Sequence, residues 1–172
     1  MQALKQFSLP IIGMKIGFHH FNFVLNESYF EAFENSPVSD GAVNAELKVE
    51  KKYDHLVLDL DLKGHVQLEC SRCIDEISFP VTKSYDFLVK YDDNPREEDE
   101  VIYLEPDNPE FNCAKLIHDM LVLSLPIRTT CDDVEGKTCD EEVLKRLNNE
   151  TKEEDAPAAN PLSEALKNIK LD

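Results

Sequence analysis

Hydrophobic and polar positions alternate with a period of two through the middle of the chain. From 56 to 70, every even position except Gly64 is apolar, and the odd positions from 59 to 69 are polar or charged. Successive side chains of a strand point to opposite faces, so this alternation predicts a strand with one buried face. Gly64 predicts a bulge or a bend within one long strand, or a junction between two strands in the same phase.

Two further runs with the same alternation flank this strand, at 43–49 and 77–89. Turn-like breaks at 52–55 and 70–76 separate the runs, so we expect the strands to pair as an antiparallel meander with one buried face. Pro80 lies inside the last run. Because proline cannot donate a backbone hydrogen bond, we expect an edge or a bulge there.

The rest of the chain carries shorter signals. They predict strands at 19–25 and 101–104, and short helices at 27–35, 141–147 and 161–170. A broad apolar stripe at helical spacing predicts the main helix at 111–125, with Asn112 as its N-cap and Pro126 at its end. The predicted fold class is therefore α+β: an antiparallel β-meander packed against one main helix, with short peripheral helices.

The chain of 172 residues can form one domain with a hydrophobic core, and 42% of its residues are hydrophobic. We expect an α+β core domain at 1–147, followed at 148–172 by an acidic linker and a C-terminal amphipathic helix. No apolar run approaches the roughly 20 residues of a membrane helix, and the first residues lack the features of a signal peptide. These patterns predict a cytoplasmic protein without a membrane contact.

The charge of the chain favours one kind of partner. Its net charge is −17, from 35 acidic and 18 basic residues. Nucleic-acid binding requires basic residues that neutralise phosphates, but here the bases are scattered, with only Lys48, Lys51 and Lys52 close together. We therefore expect a basic protein as the partner, with any contact to RNA secondary or indirect. No small-molecule substrate is evident.

Four of the five cysteines suggest a metal site. Cys70 and Cys73 stand three positions apart in the turn after the long strand, and a tight turn can present two thiolates to one tetrahedral ion. Cys131 and Cys139 would form the second pair, although seven residues separate them, more than in common zinc sites. The four cysteines are the candidate ligands of a structural metal ion. Four thiolates are the number that a closed structural zinc site requires.

Other interpretations of the cysteines remain open. Glu135 or His118 could replace one thiolate, or all the thiols could be packed without a metal. Cys113 is assigned to plain burial because it falls in the predicted main helix. A thioredoxin-like redox pair would open a helix, whereas this pair lies between two strands with Asp75 and Glu76 nearby, which disfavour a thiolate.

Catalytic signatures are absent from the sequence. It contains no GxGxxG, phosphate-binding loop, HExxH or GxSxG pattern. A non-catalytic protein is therefore predicted. An acidic protein-binding adaptor with structural zinc or packed thiols is one alternative, and a thiol redox or RNA-processing enzyme is another.

Three landmarks occur together in the sequence. They are Gly64 followed by Cys70-Ser-Arg-Cys73, the helix end Leu121–Pro126 followed by Cys131 and Cys139, and the C-terminal Asn-Pro-Leu-Ser-Glu-Ala-Leu-Lys. As a set they resemble the bacterial YceD family, the large ribosomal RNA subunit accumulation proteins, from about Gly17 onward. The resemblance implies an accessory role in large ribosomal subunit biogenesis, supporting the synthesis, processing or stability of 23S ribosomal RNA.

The late cysteine cluster departs from the pattern of this family. Many members resemble a fuller version, with one cysteine four residues after the first and another four residues later. Here Cys131 and Cys139 match the outer positions, and Glu135 occupies the middle one. With the earlier pair, four thiols remain for a closed metal site.

Overall fold

The computed structural model describes residues 4–34, 36–92 and 101–154, the last seven by their backbone alone. Its strands are β1 Ser8–Leu9, β2 Gly17–Leu25, β3 Gly41–Lys51, β4 His55–Glu69, β5 Glu76–Tyr91, β6 Val101–Leu104 and β7 Phe111–Asn112. Its α-helices are α1 Glu27–Phe30, α2 Ala114–Ser124 and α3 Glu141–Glu154, and single 3-10 turns span Lys5–Phe7 and Cys131–Asp133. No helix in these described ranges is long and apolar enough to cross a membrane.

Five strands form the central sheet in the order β2-β3-β4-β5-β6, and β1 pairs with β7 in a separate ribbon. Strands β3 to β5 pair antiparallel, as the alternating pattern predicts. Strand β2 also pairs antiparallel, along the free edge of β3. Strand β6 instead runs parallel to β5, so the sheet is mixed rather than a pure meander. Together with the helices, this sheet confirms the α+β class.

One face of the sheet forms the core. The register places Leu47 between Phe21 of β2 and Leu60 of β4, so apolar side chains of neighbouring strands lie side by side. Helix α2 covers this face, where the Tyr85 hydroxyl donates to the Met120 carbonyl at 3.1 Å. The opposite face carries the polar residues of the alternation, as expected for a sheet with one solvated side.

Gly64 lies in a strand that continues without a break. Its partners Val43 and Val81 follow the regular register, so β4 is one strand and the predicted bulge is absent. The glycine is needed for another reason. A Cβ at this position would lie 2.1 Å from the Ala42 carbonyl oxygen, because the β3 backbone passes directly over it.

Pro80 stands on an edge of the sheet, as predicted. Strand β6 pairs with β5 only at Leu88–Tyr91, so in the described part of the chain Pro80 has a strand neighbour on the β4 side alone, opposite His65. The missing N–H therefore faces the open edge, where a ladder does not require it.

The N-terminal segment shifts the start of the main helix. The predicted helix at 111–125 begins only at Ala114, because Phe111–Asn112 pairs with β1 as strand β7. The Cys113 amide donates to the Phe7 carbonyl at 3.0 Å, which holds the two segments together. The N-cap is Cys113, which makes no side-chain cap hydrogen bond, so the prediction of Asn112 as the N-cap is wrong. Asn112 lies one residue earlier, where its side-chain oxygen accepts from the Ala114 amide at 2.9 Å.

The other helices also differ in length from their predictions. Helix α1 ends at Phe30 instead of 35, and α3 continues to Glu154 instead of ending at 147. Since α3 is longer than α2, a single main helix is not confirmed. The predicted helix at 161–170 lies outside the described residues, and the division of the chain at 147/148 stays a prediction, although 148–154 are helical rather than linker.

Tyr29 anchors α2 to the core, and a Tyr29→Phe variant should be less stable. Its buried hydroxyl donates to the Ala114 carbonyl at 2.8 Å. Loss of this hydrogen bond should lower the free energy of unfolding by about 1 kcal/mol, measured by urea denaturation. Tyr53→Phe, at a side chain that is 93% exposed, is the control and should change almost nothing. Equal losses in both variants would contradict this role of Tyr29.

Candidate metal centre

Four cysteine sulfurs converge where the end of β4 meets the segment after α2. The Sγ atoms of Cys70 and Cys139 are 3.7 Å apart, and those of Cys73 and Cys131 are 3.5 Å apart. All four lie within 4.8 Å of one another. The structure thus brings together the four candidates named from the sequence, from two segments separated by about 60 residues.

The first pair is presented by a tight turn between β4 and β5. The Ile74 amide donates to the Cys70 carbonyl at 2.9 Å, and the Cys70 amide donates to the Asp75 carbonyl at 2.9 Å. Ile74 has a φ of +66°, a left-handed conformation that β-branched residues rarely adopt. Such strain is typical of functional sites, and here it lies directly after the second thiol, where the chain turns back into β5.

The second pair is set by the loop after α2. Cys131 opens a 3-10 turn whose N-cap, Thr130, forms a capping box with Asp133. The Asp133 carboxylate accepts from the amide and hydroxyl of Thr130 at 2.7 and 2.9 Å. Gly136 then adopts a φ of +78° and redirects the chain toward Cys139. This loop explains how a pair with seven intervening residues can meet.

Polar contacts join the two halves around the sulfurs. The Ser71 amide donates to the Thr129 carbonyl at 2.8 Å. The Arg72 guanidinium forms an ion pair with Asp132, next to Cys131 in the chain. The sequence shows Arg72 between the two first cysteines, but it contains no signal that pairs this arginine with an acid 60 positions away.

Burial and hydrogen bonding act in opposite directions on the thiols. Burial raises the pKa of Cys131 and of Cys139. Burial also opposes ionisation of Cys70, but backbone amides of Cys73 and Arg72 donate toward its sulfur and lower its pKa to about 6. Several thiolates this close together would repel one another, so they require a cation between them.

The arrangement of the sulfurs fits a single tetrahedral ion. Four sulfurs at about 2.3 Å from one zinc ion lie about 3.8 Å apart, close to the 3.5 and 3.7 Å of the two pairs. All five cysteines are free of disulfides. The buried Nε atom of Arg72 has no hydrogen-bond partner among the described residues.

The alternative ligands lie elsewhere. His118 Nε2 is 3.0 Å from the Ser36 hydroxyl, and its ring stacks on Phe33 with centroids 4.0 Å apart. Glu135 is not part of the sulfur cluster. Cys113 is fully buried and its thiol donates to a backbone carbonyl, so it is a packed thiol as predicted, although it precedes α2 rather than lying within it.

The fold and the cluster define an α+β protein in which four buried cysteines, able to hold one metal ion, lie where the loop after α2 meets the central sheet. Comparison with known proteins then places the chain more closely. The family model of the large ribosomal RNA subunit accumulation protein YceD matches residues 58–170, more than half of the chain, and all four cysteines fall within the match. The chain belongs to this family. No curated protein and no solved structure matches it.

Proposed function

We propose that this protein is a non-catalytic accessory factor in large ribosomal subunit biogenesis, with a structural zinc ion bound by its four clustered cysteines. The family name supports a role in the accumulation of large-subunit ribosomal RNA. The convergence of four sulfurs within 4.8 Å is the observation that carries the zinc site. The factor would support the synthesis, processing or stability of 23S ribosomal RNA.

A structural ion suits this cluster better than a catalytic one. Cys70, Cys73, Cys131 and Cys139 would fill all four positions of a tetrahedral ion, leaving none for water or a substrate. The bound ion would cross-link the β4–β5 turn to the loop after α2. Its role would be to hold the surface around this junction in one shape.

A thiol redox enzyme is less well supported. Reactive cysteines are partly exposed, whereas all four sulfur-bearing side chains here are buried. The lowered pKa of Cys70 follows from amide donors that serve a metal-bound thiolate equally well. Zinc-loaded protein should therefore resist alkylation by iodoacetamide at neutral pH, and chelation should expose the thiols to it.

The proposed partner is a basic protein. The three lysines that lie close together in the sequence are already engaged: Lys48 with Asp61 at 2.8 Å, Lys52 with Glu50 at 3.2 Å, and Lys51 with the Ile11 carbonyl at 2.6 Å. With a net charge of −17, the surface favours a cationic protein over phosphates.

Complementation tests the cellular function. In cells depleted of the protein, the ratio of 23S to small-subunit ribosomal RNA should fall. Wild-type protein and Cys113→Ser should restore it, whereas Cys70→Ser should not. An unchanged ratio after depletion would contradict the proposed role. If Cys70→Ser restores the ratio, the role in ribosomal RNA accumulation stands, but it does not depend on the metal centre.

Arg72→Gln should weaken metal binding without unfolding the protein. The change removes a positive charge beside the sulfurs and the ion pair with Asp132 that joins the two halves. Loss of such a supporting contact typically lowers metal affinity about 10- to 100-fold, measured by competition with a chromophoric chelator. Arg128→Gln, at an exposed arginine of the same loop, should leave the affinity unchanged. Equal affinities of Arg72→Gln and wild type would contradict the supporting role.

A further inference from the structure

A groove of about 880 Å³ runs beside the candidate metal centre. One wall is the end of α2 with the segment after it, and the other is the end of β4 and the start of β5. A second depression of about 800 Å³ along α2 shares lining residues with it, namely Ser36, Pro37, Val122 and Leu123. The two form one continuous surface, here named the α2 groove.

Large apolar side chains stand exposed in the α2 groove. Leu123 is 72% exposed and lines both depressions, and Ile127 is fully exposed on the wall after α2. The apolar stripe of α2 predicts Leu123 as a core residue, yet the helix turns it outward. Adjacent exposed apolar residues along a concave surface are typical of a binding site for another protein.

The charge at one end of the α2 groove is negative. Glu69 and Glu76 line it and stand directly opposite each other across the β4–β5 pair, an arrangement that destabilises a sheet because like charges repel. Neither carboxylate forms an ion pair within the described ranges. Lys137 lies nearby, but its ammonium donates to the Glu76 backbone carbonyl. Among the described residues, no lysine or arginine lines the 880 Å³ part of the groove, whereas Lys115 lines the other part.

We propose that the α2 groove binds a basic amphipathic helix of a protein partner. Leucine-like side chains of that helix would cover Leu123 and Ile127, and its lysines or arginines would reach Glu69 and Glu76. This recognition mode needs apolar anchors at helical spacing and a complementary charge. The inference rests on the basic partner of the proposed function and assigns it a surface.

The candidate metal centre would shape this surface. Ser71 and Thr129 line the groove and are hydrogen-bonded to each other, and each lies within two residues of a clustered cysteine. The wall that carries Ile127 is therefore tied to the sheet next to the sulfurs. Removal of the metal by a chelator should therefore weaken binding of the partner helix in the α2 groove, although it changes none of the exposed side chains that line the groove.

Peptide binding to the full chain tests the proposal. The probe is a fluorescein-labelled helical peptide of 14 residues with leucines along one face and lysines elsewhere. We expect saturable one-to-one binding by fluorescence anisotropy, weakened about tenfold or more by Leu123→Ser with Ile127→Ser. Glu69→Gln with Glu76→Gln should weaken binding about threefold, and this loss should vanish in high salt. Phe18→Ser with Val24→Ser removes exposed apolar residues of β2 and should change nothing.

Three results would overturn the proposal. A peptide with serines in place of leucines that binds equally well would show general attraction to the acidic surface. Tighter peptide binding by Leu166→Ser with Ile169→Ser would assign the groove to the chain's own C-terminal segment. A dimer that the Leu123→Ser and Ile127→Ser changes dissociate would assign it to a second copy.

The cellular assay separates this proposal from the function on which it rests. If depletion leaves 23S ribosomal RNA unchanged, the accessory role fails whatever the peptide does. If wild-type protein and the variant with Leu123→Ser and Ile127→Ser restore the RNA equally, only the groove proposal fails.

Discussion

Cys70→Ser should bind less than a tenth of the metal that wild type carries and should unfold more easily. One lost thiolate opens the closed site, and a metal that binds only the folded chain stabilises it by about 4 kcal/mol when free metal is 1,000 times its Kd. For a chain of this size we expect the melting temperature to fall by on the order of 10 °C. Calorimetry with elemental analysis measures both quantities.

Cys113→Ser is the matched control, because this cysteine is as buried as the others but lies outside the cluster. Its serine can keep the hydrogen bond to the Phe7 carbonyl. Chelation of wild type should reproduce the loss seen in Cys70→Ser, and chelation of Cys70→Ser should add nothing, since both remove the same ion. Equal stability of Cys70→Ser and untreated wild type would contradict a stabilising metal.

Gly64→Ala should destabilise the protein by about 3 kcal/mol or more. The added Cβ would meet the Ala42 carbonyl oxygen at 2.1 Å and the Val43 Cα at 2.7 Å. Both are backbone atoms of a paired strand, so relief requires β3 and β4 to separate locally. Urea denaturation, followed by circular dichroism, measures the loss of free energy of unfolding.

Gly13→Ala provides the comparison for Gly64→Ala. Within the described part of the chain its Cβ would meet the Pro10 carbonyl oxygen alone, at 3.9 Å, an ordinary contact. We expect a change within about 0.5 kcal/mol, because nothing must move. A loss at Gly64 no larger than that at Gly13 would contradict the close approach of β3 and β4.

The strands of the sheet could be predicted because their signal is local. The buried face of β4 follows from alternating apolar residues that need no knowledge of their partners. The direction of β6 could not be predicted, because its four residues, Val101–Leu104, all lie at intermediate depth and carry no alternation. Its parallel pairing depends on the path of the chain between β5 and β6, and the local pattern of apolar residues does not indicate that path.

The start of α2 shows a contact between distant parts of the chain overriding a local pattern. Phe111 continues the apolar stripe and so predicts helix, yet it pairs with Leu9, about 100 residues earlier. The same contact buries Phe7, Leu9 and Ile11, core residues that the strand and helix patterns do not identify. Helix boundaries are decided by such tertiary contacts as much as by propensity.

The residues of the candidate site could be predicted from the sequence, but their arrangement in space could not. Cys70 and Cys73 stand out by spacing, whereas Cys131 and Cys139 meet only because of the Thr130–Asp133 cap and the left-handed Gly136. Those residues are visible in the sequence as turn formers. The meeting of the two cysteine pairs, however, depends on hydrogen bonds between this loop and the β4–β5 turn, which lies about 60 residues away in the sequence.

X-ray absorption spectroscopy of the protein, purified without chelator, tests the central claim most directly. We predict about one zinc ion per chain, with four sulfur neighbours at about 2.3 Å and no nitrogen or oxygen in the first shell. Protein without metal, or zinc bound by nitrogen and oxygen, would contradict the metal centre and leave four packed thiols at the junction of sheet and loop.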